Sequence, residues 1–151
     1  MQLTKNFSLA EFVATQHRNI DNTLPSQLMP QAMATAAMLE RIRAALSAIA
    51  GRDVQILISS GYRCPALNSA VGSNATSDHP KAMAVDWIAP SFGTPYAICK
   101  AIAPQIDALG VGQIIHEFGR WVHVSSRTPS RPNNRIITIT TAGARPGIQE
   151  A

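Results

Sequence analysis

Two of the four histidines in this 151-residue chain sit where an imidazole needs a partner. His123 lies mid-run in Trp121-Val122-His123-Val124-Ser125. A ring buried among apolar neighbours must be hydrogen-bonded, neutral or bound to a metal. His79 lies in Ser77-Asp78-His79-Pro80-Lys81-Ala82-Met83-Ala84-Val85-Asp86. The spacing of His79 and Asp86 is not that of a helical ligand pair. It works if His79 ends a loop and Asp86 points inward from the strand that follows. His79, Asp86 and His123 then make a two-histidine, one-carboxylate set. Three protein ligands with a fourth position left for water is the catalytic rather than the structural zinc pattern, and zinc lowers the pKa of such a water to about 7. On spacing alone, the same residues read equally as a loop histidine, a hydrogen-bonded core histidine and a capping carboxylate.

The surrounding elements must deliver these side chains to one place. Ser8-Leu9-Ala10-Glu11 is a capping box that opens a short helix. Between Ser26 and Ala50 the residues Met33, Ala37, Ile42, Leu46 and Ile49 recur at near-helical spacing, with Pro30 near the start and Gly51 as the C-terminal cap. Val54, Ile56 and Ile58 alternate as in a strand and end at Ser59-Ser60-Gly61. Pro65 opens a short helix to about Val71, and a Gly/Ser/Asn/Thr loop follows to Ser77. Met83 to Ile88 reads as a buried strand. Thr94-Pro95 caps a helix ending near Gly110, which Pro104 bends or divides. Gln113 to Glu117 and Trp121 to Ser125 form a hairpin, Arg127 to Asn134 a loop, and Ile136 to Thr140 a half-exposed strand. These elements predict an α+β fold, with two or three helices on one side of a mostly antiparallel sheet. Residues 1–151 are expected to form one domain with a flexible tail from 142 to 151.

Composition sets outer limits. The chain is 46% hydrophobic, which excludes a disordered protein, and it has no apolar run of the eighteen or so residues a membrane span needs. Its net charge of +4 favours a polyanionic partner such as a nucleic acid, a membrane surface or a cell wall. No secretory leader is evident at Met1-Gln2-Leu3-Thr4-Lys5-Asn6, so Cys64 and Cys99 are expected as reduced thiols. A nucleic-acid role would rest on Arg127, Arg131, Arg135 and Arg145, which lack interleaved aromatics.

Three separate motifs carry a family resemblance. They are Ser60-Gly61-Tyr62-Arg63-Cys64-Pro65-x-x-Asn68, Ser77-x-His79-x-x-x-x-Ala84-x-Asp86, and Glu117-Phe118-Gly119-x-Trp121-Val122-His123-x-Ser125. Together they resemble the zinc D-alanyl-D-alanine carboxypeptidase and peptidoglycan endopeptidase family, which includes many phage endolysins. The likeness begins at Leu9-Ala10-Glu11-Phe12 and runs to about Ser125. It implies a hedgehog-like metallopeptidase fold, with Zn2+ held by His79, Asp86 and His123, and with Arg63 near the scissile carbonyl. Arg63 then acts in catalysis and substrate binding, where a fixed guanidinium stabilises an oxyanion or clamps a carboxylate. Ser77 is expected to orient His79 or touch substrate, Trp121 to wall the cleft, and Asp78 to be a solvated loop carboxylate.

One glycine of the family, three residues after the first histidine, is replaced by Ala82; a positive φ there would strain alanine. Several family members also carry an acidic residue three positions before the last histidine, where this chain has Arg120. The general base implied by the resemblance is Glu117, with His116 as competitor. A two-residue Gly119-Arg120 loop would place His116 opposite His123, and a three-residue loop would place Glu117 there. The expected partner is a peptidoglycan stem peptide, with L-alanyl-D-glutamate cleavage ahead of D-alanyl-D-alanine cleavage or a non-catalytic zinc-containing wall-binding or virion module. No nucleic-acid partner and a monomeric state are expected. So is synthesis in the cytoplasm without a signal, followed by action on the wall after release or from a virion.

Overall fold

The computed structural model describes residues 1–129 and 134–151, so Arg131 and half of the predicted loop from Arg127 to Asn134 lie outside the described residues. The described chain runs α1 (Leu9–Val13), α2 (Met29–Ala50), β1 (Leu57–Ser60), α3 (Pro65–Ala70), β2 (Ala84–Ile88), α4 (Pro95–Ile102), β3 (Gln113–Glu117), β4 (Trp121–Ser125), β5 (Ile136–Thr140) and β6 (Gly143–Pro146). The strands form one six-stranded sheet in the order β1-β2-β4-β3-β5-β6. Every neighbouring pair is antiparallel except β3 with β5. The α+β, hedgehog-like expectation holds, with four helices rather than two or three. No described helix is long and apolar enough to cross a membrane.

Local chemistry explains the helix ends. Ser8 accepts from the Glu11 amide, and the Glu11 carboxylate accepts from the Ser8 amide, closing the capping box. Thr94 caps α4 through the Ala97 amide. Pro104 ends the regular helix in a single tight turn, Ala103–Gln105. Helix α2 starts at its proline and ends at Gly51, but its buried face is rotated from the predicted one. Ala32, Ala36, Met38, Leu39, Ile42 and Leu46 are buried, whereas Met33 and Ile49 are exposed.

The sheet has two chemically different faces because side chains alternate along each strand. Val85 and Trp87 of β2, Val122 and Val124 of β4, and Ile114 of β3 join α2 and α4 residues in the main core. The intervening residues, Asp86, His123 and Ser125 with Gln113, Ile115 and Glu117, point to the other face. There, Asp86 stands opposite His123, and Ala84 opposite Ser125.

The tail departs from expectation. Residues 143–146 form β6 on β5, and the Gln149 amide donates to Thr138 Oγ1 at 2.9 Å. Thr138 is buried while the flanking Ile137 and Ile139 line the opposite, cleft side. The hydroxyl is therefore the inward group that receives the tail, which the apolar/hydroxyl alternation of β5 did not reveal.

Candidate metal centre

Asp86 and His123 face each other across two adjacent strands, and His79 arrives from the tight turn His79–Lys81 just before β2. Asp86 Oδ1 lies 2.8 Å from His123 Nδ1, and Asp86 Oδ2 lies 3.4 Å from His79 Nε2. One donor atom from each of the three residues falls within 4.8 Å of the others. All three side chains are buried at the base of a cleft of about 1010 Å³, which Arg63, Ser77, Glu117 and Trp121 also line.

The turn that carries His79 ends at Ala82, whose φ of 59° and ψ of 25° are left-handed. The loop has kept the glycine-type backbone and placed an alanine in it, at a cost of about 1–2 kcal/mol. Ala82 is fully buried, and its carbonyl accepts from Thr35 Oγ1 of α2 at 2.7 Å, so surrounding contacts hold the strained residue.

His79 is oriented from behind. Its Nδ1 lies 2.6 Å from the Gly61 carbonyl oxygen. A carbonyl only accepts, so Nδ1 carries the proton and Nε2 presents a lone pair. That Nε2 is buried and makes no hydrogen bond, although it lies at ion-pair distance from Asp86. A lone pair facing a carboxylate calls for a cation between them. Burial pushes the His79 pKa down, against the pull of Asp86, so a proton is a poor candidate. A divalent metal fits, and an imidazole–imidazole–carboxylate donor set suits zinc. Gly61 can fill this role because its own backbone packs directly on the Phe12 carbonyl, where any Cβ would collide.

The remaining charges are coupled to the same point. Burial opposes ionisation of Asp86, but the His123 hydrogen bond and the nearby His123 and His79 rings outweigh it and hold the carboxyl well below the usual range. Burial likewise opposes protonation of His123, and Asp86 and Glu117 reverse the sign. Burial, with help from Asp86, raises the Glu117 pKa against His123 and Arg63. Arg63 is half-buried beside these anions and its Nε has no hydrogen-bond partner.

The hairpin resolves the choice of base candidate differently from either predicted loop. Glu117 pairs with Trp121, so Ile115 and not His116 or Glu117 stands opposite His123. The loop is Phe118-Gly119-Arg120, because Phe118 and Gly119 both take positive φ, 56° and 67°. Glu117 is then a diagonal neighbour on the same face, with Oε1 3.6 Å from His123 Nδ1. His116 points to the other face, where it is buried against Tyr96 and its Nδ1 donates to the Gln149 carbonyl at 2.9 Å. It is therefore not near the candidate metal ligands. Arg120 is exposed in the turn.

Ser77 Oγ accepts from the His79 amide at 3.2 Å and lines the cleft. Trp121 lines it too, tilted against Phe118. Asp78 is not a solvated loop residue. It is 6% exposed and accepts from Ser125 Oγ at 2.8 Å, with Arg127 Nη1 3.5 Å away. The sequence contained both residues, but nothing in it told that they meet. Arg135 is likewise drawn to Asp107, at 2.7 Å. Cys64 caps α3 and Cys99 is buried under α4, both as free thiols.

Residues 5–125 match the Peptidase M15 family. The chain belongs to that family. M15 peptidases are metallopeptidases, typically zinc-dependent, and the matched span contains every residue of the cluster. No curated protein matches the chain.

Proposed function

We propose that this M15 member is a zinc-dependent peptidoglycan peptidase of the phage endolysin type, which hydrolyses the L-alanyl-D-glutamate bond of a wall stem peptide. The observation that carries the reading is the buried, partnerless His79 Nε2 converging with Asp86 and His123 at the base of the cleft, beside a carboxylate and a guanidinium. His79, Asp86 and His123 would hold the metal. When bound, zinc supplies Lewis-acid polarisation of a carbonyl and a water of lowered pKa.

The chain's own residues account for the rest. Glu117 takes a proton from the attacking water at its carboxylate and returns it to the leaving amine nitrogen. Its raised pKa suits both halves of that task, since a base poised nearer the operating pH also serves as an acid. Arg63 has an uncommitted Nε and faces Asp86 and Glu117, so it is placed to clamp a developing oxyanion or a substrate carboxylate. Ser77 and Gly61 fix the backbone and ring of His79. Trp121 forms a wall of the cleft. A cleft of about 1010 Å³ is large for a single small molecule and suits several residues of an extended peptide. The mild positive charge favours approach to an anionic wall.

The test is incubation of the zinc-loaded protein with peptidoglycan, followed by mass spectrometry of the released muropeptides. New free L-alanine termini are expected on the glycan side, with new D-glutamate amines on the released peptides. Loss of a terminal D-alanine instead would replace the bond assignment, and intact muropeptides would refute the peptidase reading.

A further inference from the structure

One cation in the cleft has no part in the chemistry above. Arg127 lies two residues beyond the end of β4, on the side of His123 away from Trp121 and Glu117. Its backbone is fixed on both sides. The amide donates to Ser125 Oγ at 3.2 Å. Its carbonyl packs so closely on Gly112 that any Cβ there would collide. Among the described residues the guanidinium is held by one corner only: Nη1 is 3.5 Å from Asp78 Oδ2, while Nε makes no hydrogen bond. Asp78 is itself buried and shared with Ser125 and, at 3.9 Å, with Lys81. One carboxylate thus faces two cations, of which Arg127 lines the cleft.

Position along the sheet sets what this cation can meet. Ser125 Oγ and Arg127 Nη1 share Asp78 Oδ2, so the guanidinium lies level with Ser125. Ser125 is one same-face step from His123, about 7 Å in a strand. An extended substrate covers that distance in about two residues. Gln113 pairs with Ser125 and lines the cleft at the level of Arg127, whereas Phe118, Trp121 and Ile139 line it beside Glu117. The cleft is therefore polar and cationic at one end and apolar at the other.

We propose that Arg127 is a specificity-determining residue that binds a free carboxylate carried within two residues of the scissile bond, with Asp78 as the residue that positions it. The inference rests on the peptidase reading for the direction of the substrate. Two groups have this chemistry: the α-carboxylate of a γ-linked D-glutamate beside an L-alanyl-D-glutamate bond, and the terminal carboxylate beside a D-alanyl-D-alanine bond. A guanidinium–carboxylate pair with one corner already anchored is bidentate-capable and resists replacement by lysine.

The test uses the zinc-loaded full chain and synthetic stem pentapeptides in four forms. The α-position carries D-glutamate or D-isoglutamine, and the C-terminus is free or amidated. Dissociation constants by calorimetry and cleavage rates are measured together for wild type, Arg127→Gln and Arg127→Lys, with zinc content as a folding control. The wild type is expected to prefer one free carboxylate over its amide by about tenfold or more, mainly through KM, as expected for a hydrogen bond to a charged group. Whichever amidation removes the preference identifies the source. Arg127→Gln is expected to abolish the preference, and Arg127→Lys to keep part of it. Equal treatment of all four peptides by wild type, or an unchanged preference in Arg127→Gln, would overturn the proposal. If the peptides bind with an Arg127-dependent preference but are never cut, the peptidase reading fails and this one stands.

Discussion

The two faces of the sheet are built from the same strands, one residue out of phase, and they obey opposite rules. On the helix-covered face, Val85, Trp87, Val122, Val124 and Ile114 are buried among α2 and α4. Their polar atoms are few, and shape does the stabilising. On the cleft face, Asp86, His123 and Glu117 are also withdrawn from water, but as ionisable groups, with the two carboxylates 2.8 and 3.6 Å from His123 Nδ1. Burying such groups costs stability unless each has a partner. Here the partners are one another, a backbone carbonyl and a metal position. The first face makes the fold and the second uses it. Because strand side chains alternate, a one-residue slip between β2 and β4 would exchange the two sets, so the core also fixes the site's register.

That contrast predicts how substitutions separate. His123→Ala, on the cleft face, is expected to abolish both zinc binding and peptide cleavage. The far-ultraviolet circular dichroism should stay native, because no core contact is removed. Metal content by mass spectrometry and a melting curve on one preparation check this. Trp87→Ala, one residue along β2 from Asp86, is expected to cost about 3–5 kcal/mol, as large-to-small changes in a packed core do. Its activity per folded molecule should survive, and urea unfolding gives the loss. If the two variants behaved alike, the division of labour between faces would be wrong.

Smaller effects sharpen the boundary. Ala82 joins both regions, since its Cβ lies in the core while its backbone carries His79 toward the cleft. Ala82→Gly relieves left-handed strain of about 1–2 kcal/mol but loses a buried methyl and adds about 0.5–1 kcal/mol of unfolded-state entropy. The net change in urea midpoint is expected to be within about 1 kcal/mol, with zinc content unchanged. The smallest effect lies far from the cleft. Burial pushes the Glu40 carboxyl up, but hydrogen bonds from the Asn6 amide and side chain outweigh it and hold the pKa below the ordinary value. A folded-state pKa below the unfolded one gives stability that is present above the unfolded pKa and is lost as pH falls through the folded one. Asn6→Ala should therefore flatten the acid limb of a stability–pH curve and leave the neutral plateau slightly lower.

The sequence disclosed the ligands more readily than their setting. His79, Asp86 and His123 stood out as a loop imidazole, a carboxylate inside a strand and an imidazole in the middle of another, but spacing left a bland reading open and the family resemblance is what joined them as candidate ligands. The two strands of the hairpin were legible from composition. Its loop was not, since nothing local announced that Phe118 would take a positive φ of 56° and that Ile115 would stand opposite His123. Long-range partners were the least visible. Asp78 finds Ser125, His79 finds the Gly61 carbonyl, and His116 finds the tail at Gln149, across separations of 47, 18 and 33 residues. Such pairings are decided by the assembled sheet and leave no periodicity to read. The tail itself looked like loop material because β6, Gly143–Pro146, is exposed along its length and pairs through backbone rather than an apolar face.

The account turns on Glu117 acting on protons while three other residues hold the metal. Zinc content and stem-peptide cleavage measured on the same preparations of wild type and Glu117→Gln test that most directly. The predicted result is full zinc occupancy in both, with cleavage by the variant lower by about 10²–10⁴-fold. Undiminished cleavage by Glu117→Gln, or wild-type protein that takes up no zinc, would contradict it.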